Sequence, residues 1–250
     1  MAELKRVFVD AGHGGSDPGA VKYAKESDLN IKVTNFMCEY LTNNYECEVK
    51  KDITSDSINT VTARANKWGA DLVVSNHFNA GGGDGYEALV YSEKRRDLGN
   101  IFVKHVKAVG QNSRGVKIRP DLGMLRLTDA PAVLNEGAFV DNWNDIQDWN
   151  DDSELKNLGI AYAKASAEFL GLPAKKKATT TKKTTTKKTE GYLVKVTATA
   201  LNIRSGAGTN YKVNGVIRDK GTYTIVETKN NWGKLKSGAG WICLDYTKKV

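Results

Sequence analysis

The segment 173–190, PAKKKATTTKKTTTKKTE, constrains this 250-residue chain more than any other feature. It holds lysine, threonine and alanine with almost nothing apolar, so it has no means of burying a core. Whatever folds must do so on either side of it. Repulsion among its lysines should extend it beyond the roughly 25 Å that a flexible chain of this length spans. The reading is therefore three parts: a domain over 1–172, a Lys/Thr-rich linker over 173–190 and a small domain over 191–250. Charge divides the same way. Residues 1–172 carry 20 Lys+Arg and 25 Asp+Glu, whereas the linker carries 7 and 1 and the last sixty residues 10 and 3. The overall net charge of +8 thus belongs to the C-terminal third.

Upstream of the linker, strand and helix patterns alternate. LKRVFV (4–9), DLVVSN (71–76), GYEALVYS (85–92) and PAVLNEGAF (131–139) read as short buried strands. Residues 28–43, 56–68, 94–110 and 152–170 place apolar residues on one helical face. Alternation of this kind predicts an α/β domain, a mostly parallel sheet flanked by helices. His105 falls on the apolar face of the third helix and reads as a core histidine. Downstream, short strands separated by Gly and Asn turns predict a small all-β barrel, with Trp241 in its core. The cysteines Cys38, Cys47 and Cys243 have no C-x-x-C spacing and read as free thiols, buried at Cys38 and Cys243, in a chain folded under reducing conditions. No apolar run approaches the roughly 20 residues of a membrane span. The N-terminus runs directly into a strand, so the expectation is synthesis in the cytoplasm without a signal peptide and without membrane insertion.

Parallel sheets present ligands beyond the C-terminal ends of their strands. There this chain carries Asp10-Ala-Gly-His13-Gly-Gly, Ser75-Asn-His77-Phe-Asn79 and Asn135-Glu136-Gly137, with Glu26 just before the first long helix. Two imidazoles and two carboxylates are therefore expected to converge on one rim. Two neutral imidazoles and one carboxylate make a common catalytic zinc shell. Bound zinc brings a water pKa down to around 7, and a second carboxylate shuttles the protons. These ligand types also suit other divalent ions. The glycine-rich loop at 12–15 matches neither phosphate-binding pattern, and Asp17-Pro18-Gly19 turns the chain instead of opening a helix.

The segments DAGHGGSDPGA, AKESDLN, TARANKWGADLVVSNHFNA and PAVLNEGAFVDN, in this order, resemble the zinc-dependent N-acetylmuramoyl-L-alanine amidases of the amidase type 3 group, over residues 4 to about 171. The chain reads E-G-A-F where members often have E-x-G-F. The resemblance implies that His13, Glu26 and His77 bind Zn2+ and that Glu136 is the catalytic acid–base. It implies hydrolysis of the amide between N-acetylmuramic acid and L-alanine in peptidoglycan, the expected partner, of a Gram-positive wall. Arg126 is a candidate oxyanion stabiliser, with an ordinary surface role as the open alternative. Asp10 and Asn79 are candidates for orienting the imidazoles.

ALNIRSGAGTNY and GWICLDY resemble bacterial SH3-like domains, which implies wall binding. Tyr211, Trp232 and Tyr246 are the candidate contacts. Attraction to anionic wall polymers explains the basic charge. Nucleic-acid binding would further need stacking aromatics aligned with it, so no nucleic-acid partner is expected. The leading expectation is a phage endolysin, which without a signal peptide needs holin-type export. A zinc peptidase or other amidohydrolase acting on wall peptides, and a non-catalytic wall-binding protein, stay open at this point.

Overall fold

The computed structural model describes residues 3–175, 191–209, 211–229 and 231–250. The chain divides into two compact units, Met1–Lys176 and Lys177–Val250. Most of the expected linker lies outside the described residues. Its first residues belong to the first unit: Glu46 N–H donates to Pro173 O at 2.8 Å, and Lys175 N–H donates to Asn44 O at 2.8 Å.

The first unit runs β1 (Lys5–Ala11), α1 (Glu26–Asn44), β2 (Cys47–Asp52), α2 (Ile58–Trp68), β3 (Leu72–Asn79), β4 (Tyr86–Val90), α3 (Arg96–Lys107), β5 (Ser113–Ile118), α4 (Gly123–Arg126), β6 (Ala132–Phe139), α5 (Trp143–Ile146) and α6 (Asp152–Leu170). Six strands form one sheet in the order β2-β1-β3-β6-β4-β5. Every neighbouring pair is parallel except β4 with β6. Alternate side chains of the strands enter two separate layers, as the period-2 pleat requires. Val7, Val9, Val74 and Val133 pack under α1, α3 and α6. Phe8, Val73 and Leu134 pack under α2 and α4. Burial on both faces explains why these strands read as continuous apolar runs.

Several expectations change in detail. His77 lies inside β3, which continues past the 71–76 run that marked it, and Glu136 lies inside β6, within the expected 131–139 strand. Glu26 opens α1 instead of preceding it. β2 (CEVKKD) and β5 (SRGVKI) are additional edge strands, half-buried or exposed at every residue but Asp52, and they lack an apolar pattern. His105 is only half-buried and pairs with Glu168, Nε2 to Oε2, at 2.8 Å, because it sits at the margin of its helix face. Cys38 is buried and free, and burial pushes its thiol up to about 12. Cys47 and Cys243 are half-buried and free. Among the described residues no helix is long and apolar enough to cross a membrane.

The second unit is all-β: β7 (Tyr192–Val196), β8 (Leu201–Arg204), β9 (Val213–Ile217), β10 (Thr222–Lys229), β11 (Trp232–Leu235), β12 (Trp241–Cys243) and β13 (Thr247–Lys249). They pair antiparallel in the order β13-β7-β10-β11-β12-β8-β9. Val194, Val196, Leu201, Ile217, Ile225, Leu235 and Ile242 form its core. Trp241 stays outside that core, half-buried, with the Lys234 ammonium 5.9 Å from its ring centre.

One buried carboxylate fixes the rim of the first unit. Asp145, from α5, accepts hydrogen bonds from Gly85 N–H at 2.8 Å, Phe139 N–H at 2.8 Å and Gln111 Nε2 at 3.0 Å. It thereby joins the start of β4, the end of β6 and the approach to β5. Asp145→Ala takes the acceptor from two buried backbone N–H groups, while Gln111 keeps Gly137 O, and should cost about 2–3 kcal/mol of stability. Urea unfolding followed by circular dichroism measures this, and Asp145→Asn, which keeps an acceptor, should lose less.

Candidate metal centre

The site is assembled where β1, β3 and β6 end. Gly12 follows β1 and continues its ladder, with its N–H donating to Asn76 O at 3.0 Å. The His77 ring lies against Gly12, where a Cβ would overlap its imidazole atoms. Only glycine lets the ring lie there. The next residue, His13, has a φ of 61°, an uncommon conformation that re-aims its side chain across the rim.

The following loop is held by its own polar groups. Gly14 and Asp17 exchange backbone hydrogen bonds of 2.7 and 2.8 Å. The Asp17 carboxylate accepts from Gly19 N–H at 3.0 Å and pairs with His13 Nδ1 at 2.8 Å. Gly19 has a φ of +64°, and a Cβ there would stand 2.6 Å from Glu26 Oε2 and 2.8 Å from His13 Cδ2. The loop therefore reaches Glu26 at close quarters. Asn30, buried on α1, donates to Gly12 O at 2.7 Å and locks the helix to the glycine turn.

Glu26 is buried at the N-terminus of α1, where the helix dipole favours a negative charge. Its Oε2 accepts from Ala20 N–H at 2.9 Å. Its Oε1 faces His77 Nδ1 at 3.0 Å, His13 Nε2 at 3.3 Å and Phe78 N–H at 3.3 Å. The two imidazoles meet edge-on, with ring centres 5.1 Å apart. Burial works against the Glu26 charge. The hydrogen bonds from His13, His77 and Ala20 outweigh it and hold the carboxyl well below the usual range. The hydrogen bond to Glu26 raises His13 to about 9 against the cost of burial, and Asp17 adds to the rise. His77 is raised too: burial opposes its charge, but the Glu26 hydrogen bond and the Glu136 and Asp10 charges prevail.

One donor atom from each of His13, Glu26 and His77 lies within 4.8 Å of the others. Tetrahedral zinc with bonds near 2.0–2.1 Å places its ligand atoms about 3.3 Å apart. The Glu26 oxygen already stands 3.0 and 3.3 Å from the two imidazole nitrogens. The donor set and its spacing fit a divalent metal of the zinc type.

Glu136 is the direct register partner of His77 across β3 and β6. Its Oε2 is buried and has no hydrogen-bond partner among the described residues. Burial pushes its carboxyl up to about 7; the neighbouring His77 charge opposes this, and Glu26 and Glu87 add to it. A carboxyl in that range both takes and gives a proton near neutral pH.

The other expected residues fall elsewhere. Asp10 is buried, accepts from Ser75 Oγ at 2.6 Å and touches neither imidazole by a described hydrogen bond. Asn79 donates to Glu87 at 3.2 Å instead of orienting a histidine. Arg126 is exposed on α4, and no described hydrogen bond or ion pair joins it to the cluster. In the second unit, Tyr211 and Tyr246 are 42% and 50% exposed and Trp232 is half-buried. Sequence reasoning missed Glu87. It lies opposite Glu136 because β4 pairs antiparallel with β6, and Arg114 Nε holds it at 2.7 Å. It also missed Asp17 and Asn30; the four-residue spacing of His13 and Asp17 was the available signal for the first.

Residues 7–168 match the family model described as N-acetylmuramoyl-L-alanine amidase. A protein of Bacillus phage SPP1 named "Endolysin" is 37% identical over 185 residues, covering 68% of this chain and 68% of that protein. A sporulation-specific N-acetylmuramoyl-L-alanine amidase of Bacillus subtilis is 33% identical over 178 residues, covering 68% of this chain and 69% of that one. Among solved structures, the catalytic domain of CwlV, an N-acetylmuramoyl-L-alanine amidase from Bacillus (Paenibacillus) polymyxa, aligns with a TM-score of 0.64 at 26% identity, covering 68% of this chain and all of that one. With a site of this geometry on a fold shared with these proteins, the chain belongs to the N-acetylmuramoyl-L-alanine amidase family, peptidoglycan hydrolases that cleave the amide between N-acetylmuramic acid and L-alanine.

Proposed function

We propose that this amidase is a zinc enzyme in which His13, Glu26 and His77 hold the metal and Glu136 moves the protons. The observation that carries the reading is the pairing of two opposed features. Two imidazole nitrogens crowd one carboxylate oxygen of Glu26, while a buried oxygen of Glu136 on the next strand lacks a partner. Zinc, when bound, supplies a Lewis acid that polarises the lactyl carbonyl and lowers the pKa of the attacking water. Glu136 takes the proton from that water and returns it to the leaving alanine nitrogen. Asp17 holds His13 by its far nitrogen, as outer partners of metal-bound imidazoles do.

We further propose a role in wall lysis from within an infected Gram-positive cell, with holin-type export; the relative named "Endolysin" from a Bacillus phage supports the lytic role. We infer that residues 191–250 form an SH3-like wall-binding domain after the 173–190 linker. The basic charge of this part and its exposed Tyr211 and Tyr246 support that reading.

Digestion of purified peptidoglycan tests the activity: free N-terminal L-alanine should appear without new reducing sugars. Glu136→Gln should keep its metal and lose at least ~100-fold in turnover. His77→Ala should lose the metal as well, read by elemental analysis. An empty site in Glu136→Gln would overturn this division of roles.

Metal affinity should depend on pH with a defined sign. Imidazoles bind metal as neutral rings, and His13 in the metal-free protein holds its proton up to about 9. Binding below that pH therefore releases protons, and Kd should rise about tenfold per pH unit of acidification for each proton displaced. Competition with a chromogenic chelator between pH 6 and 10 measures the slope, which should flatten above 9.

For the second unit, Tyr211→Ala with Tyr246→Ala in the complete chain should reduce co-sedimentation with purified walls about tenfold. Hydrolysis of a soluble muramoyl peptide should stay unchanged. Undiminished pelleting would reject these contacts.

A further inference from the structure

Tyr23 and Trp143 form an aromatic pair that neither the metal cluster nor the proton shuttle uses. Their ring centres are 5.6 Å apart with planes at 68°. They remain 48% and 51% exposed, and Val21, two residues before Tyr23, is 61% exposed. Leaving two large rings half in water forgoes much of the stabilisation their burial would bring. Singly exposed apolar residues are ordinary; two large rings in contact with one another and both open to solvent are the kind of surface a ligand covers.

Each ring is carried by one arm of the metal centre. Tyr23 sits in the turn closed by the Val21–Lys25 bridge, which feeds directly into Glu26. Trp143 opens α5, shortly after the end of β6, the strand that bears Glu136. The arms are stitched together beneath the rings. Tyr23 N–H donates to Val140 O at 3.1 Å, and Lys22 Nζ donates to Asp141 O at 3.1 Å. The Lys22 ammonium also stands 5.0 Å from the Tyr23 ring centre. The pair is thus held in place by the backbone of both arms while about half of each ring stays open to solvent.

We propose that Tyr23 and Trp143 form a saccharide subsite that stacks against the apolar C–H face of a hexopyranose of the glycan strand. This rests on the reading that cleavage occurs at His13, Glu26 and His77. The acyl group being cut is attached to a sugar through its lactyl ether, so a sugar must lie close to the metal centre. A pyranose offers an uncharged apolar face suited to aromatic rings. A peptide strand would instead seek main-chain partners, and Tyr23 N–H and Val140 O are already engaged with each other.

The test uses the complete, metal-loaded chain and its variants Tyr23→Ala, Trp143→Ala and the double variant. Two soluble substrates are compared: an N-acetylglucosaminyl-N-acetylmuramoyl peptide, and the same peptide carrying only a D-lactyl group. The expected result is a KM about tenfold higher for the saccharide substrate, equal to about 1.4 kcal/mol. Its kcat should stay within about twofold, and kcat/KM for the sugar-free substrate should be unchanged. Inhibition by the free disaccharide should weaken by the same factor, and Trp143→Phe should restore part of the loss. Equal losses on both substrates would show a merely structural role and overturn the subsite. Unchanged KM and inhibition, or a loss that follows the length of the stem peptide, would overturn it too. A wild-type chain that leaves the muramoyl amide intact would sink the catalytic reading and the subsite together. A wild type that cleaves it while the variants behave identically would sink the subsite alone.

Discussion

The crowding of His13, His77 and Phe78 N–H around one buried oxygen of Glu26 is the constraint on which the rest of this site depends. A single carboxylate oxygen draws together groups from the loop after β1 and from β3, while Glu26 itself belongs to α1. Each must therefore be placed by its own element. Gly12 makes room for one ring, the positive φ of His13 turns the other, and Asn30 fastens the helix to the glycine turn. The charges follow from the same contact. Imidazoles that share a carboxylate become more basic, and the carboxyl they share becomes more acidic. Glu136, one strand away, is denied such partners and moves in the opposite direction. Two carboxylates on one rim thereby acquire different chemistry from their surroundings alone.

Much of the first unit was legible in the sequence because its elements are strongly patterned. The helices α1, α2, α3 and α6 announce themselves by apolar faces, and β1, β3 and β6 by apolar runs. The edge strands β2 and β5 are charged and, apart from Asp52, at most half-buried, so nothing local distinguishes them from loops. The reversed direction of β4 is a property of its pairing with β6 and has no local signal. The convergence of His13, Glu26 and His77 was readable because a parallel sheet gathers the ends of its strands. Expectations based on nearness along the chain fared less well. Asn79 follows His77 by two residues yet serves Glu87, because alternate strand residues share a face whereas hydrogen-bond reach depends on the neighbouring strand. Arg126 is ten residues from Glu136 but belongs to α4, a separate helix with its side chain exposed.

The two units stabilise themselves in different ways. The first buries two apolar layers on a single sheet, with long helices over the larger. The second has one small core and strands of three to eight residues. Its aromatics are mostly left at the surface or half-buried, which is why Trp241 could not be placed from its neighbours in sequence. The three thiols are free, so neither unit relies on a covalent cross-link.

The reversal of β4 carries a consequence for how such a scaffold diversifies. Parallel strands deliver only their exits to the rim that bears the metal centre. A strand running the other way delivers its entrance there, and β5, parallel to β4, does the same. The connections before β4 and before β5 therefore open beside the metal centre without carrying a ligand. Insertions at 80–84 or 108–110 can lengthen, shorten or recharge that border while Gly85 and Gln111 keep their hold on Asp145 and the strands that hold His77 and Glu136 keep their register. The fold separates the part of the rim that carries the metal-site residues from the part that only borders it.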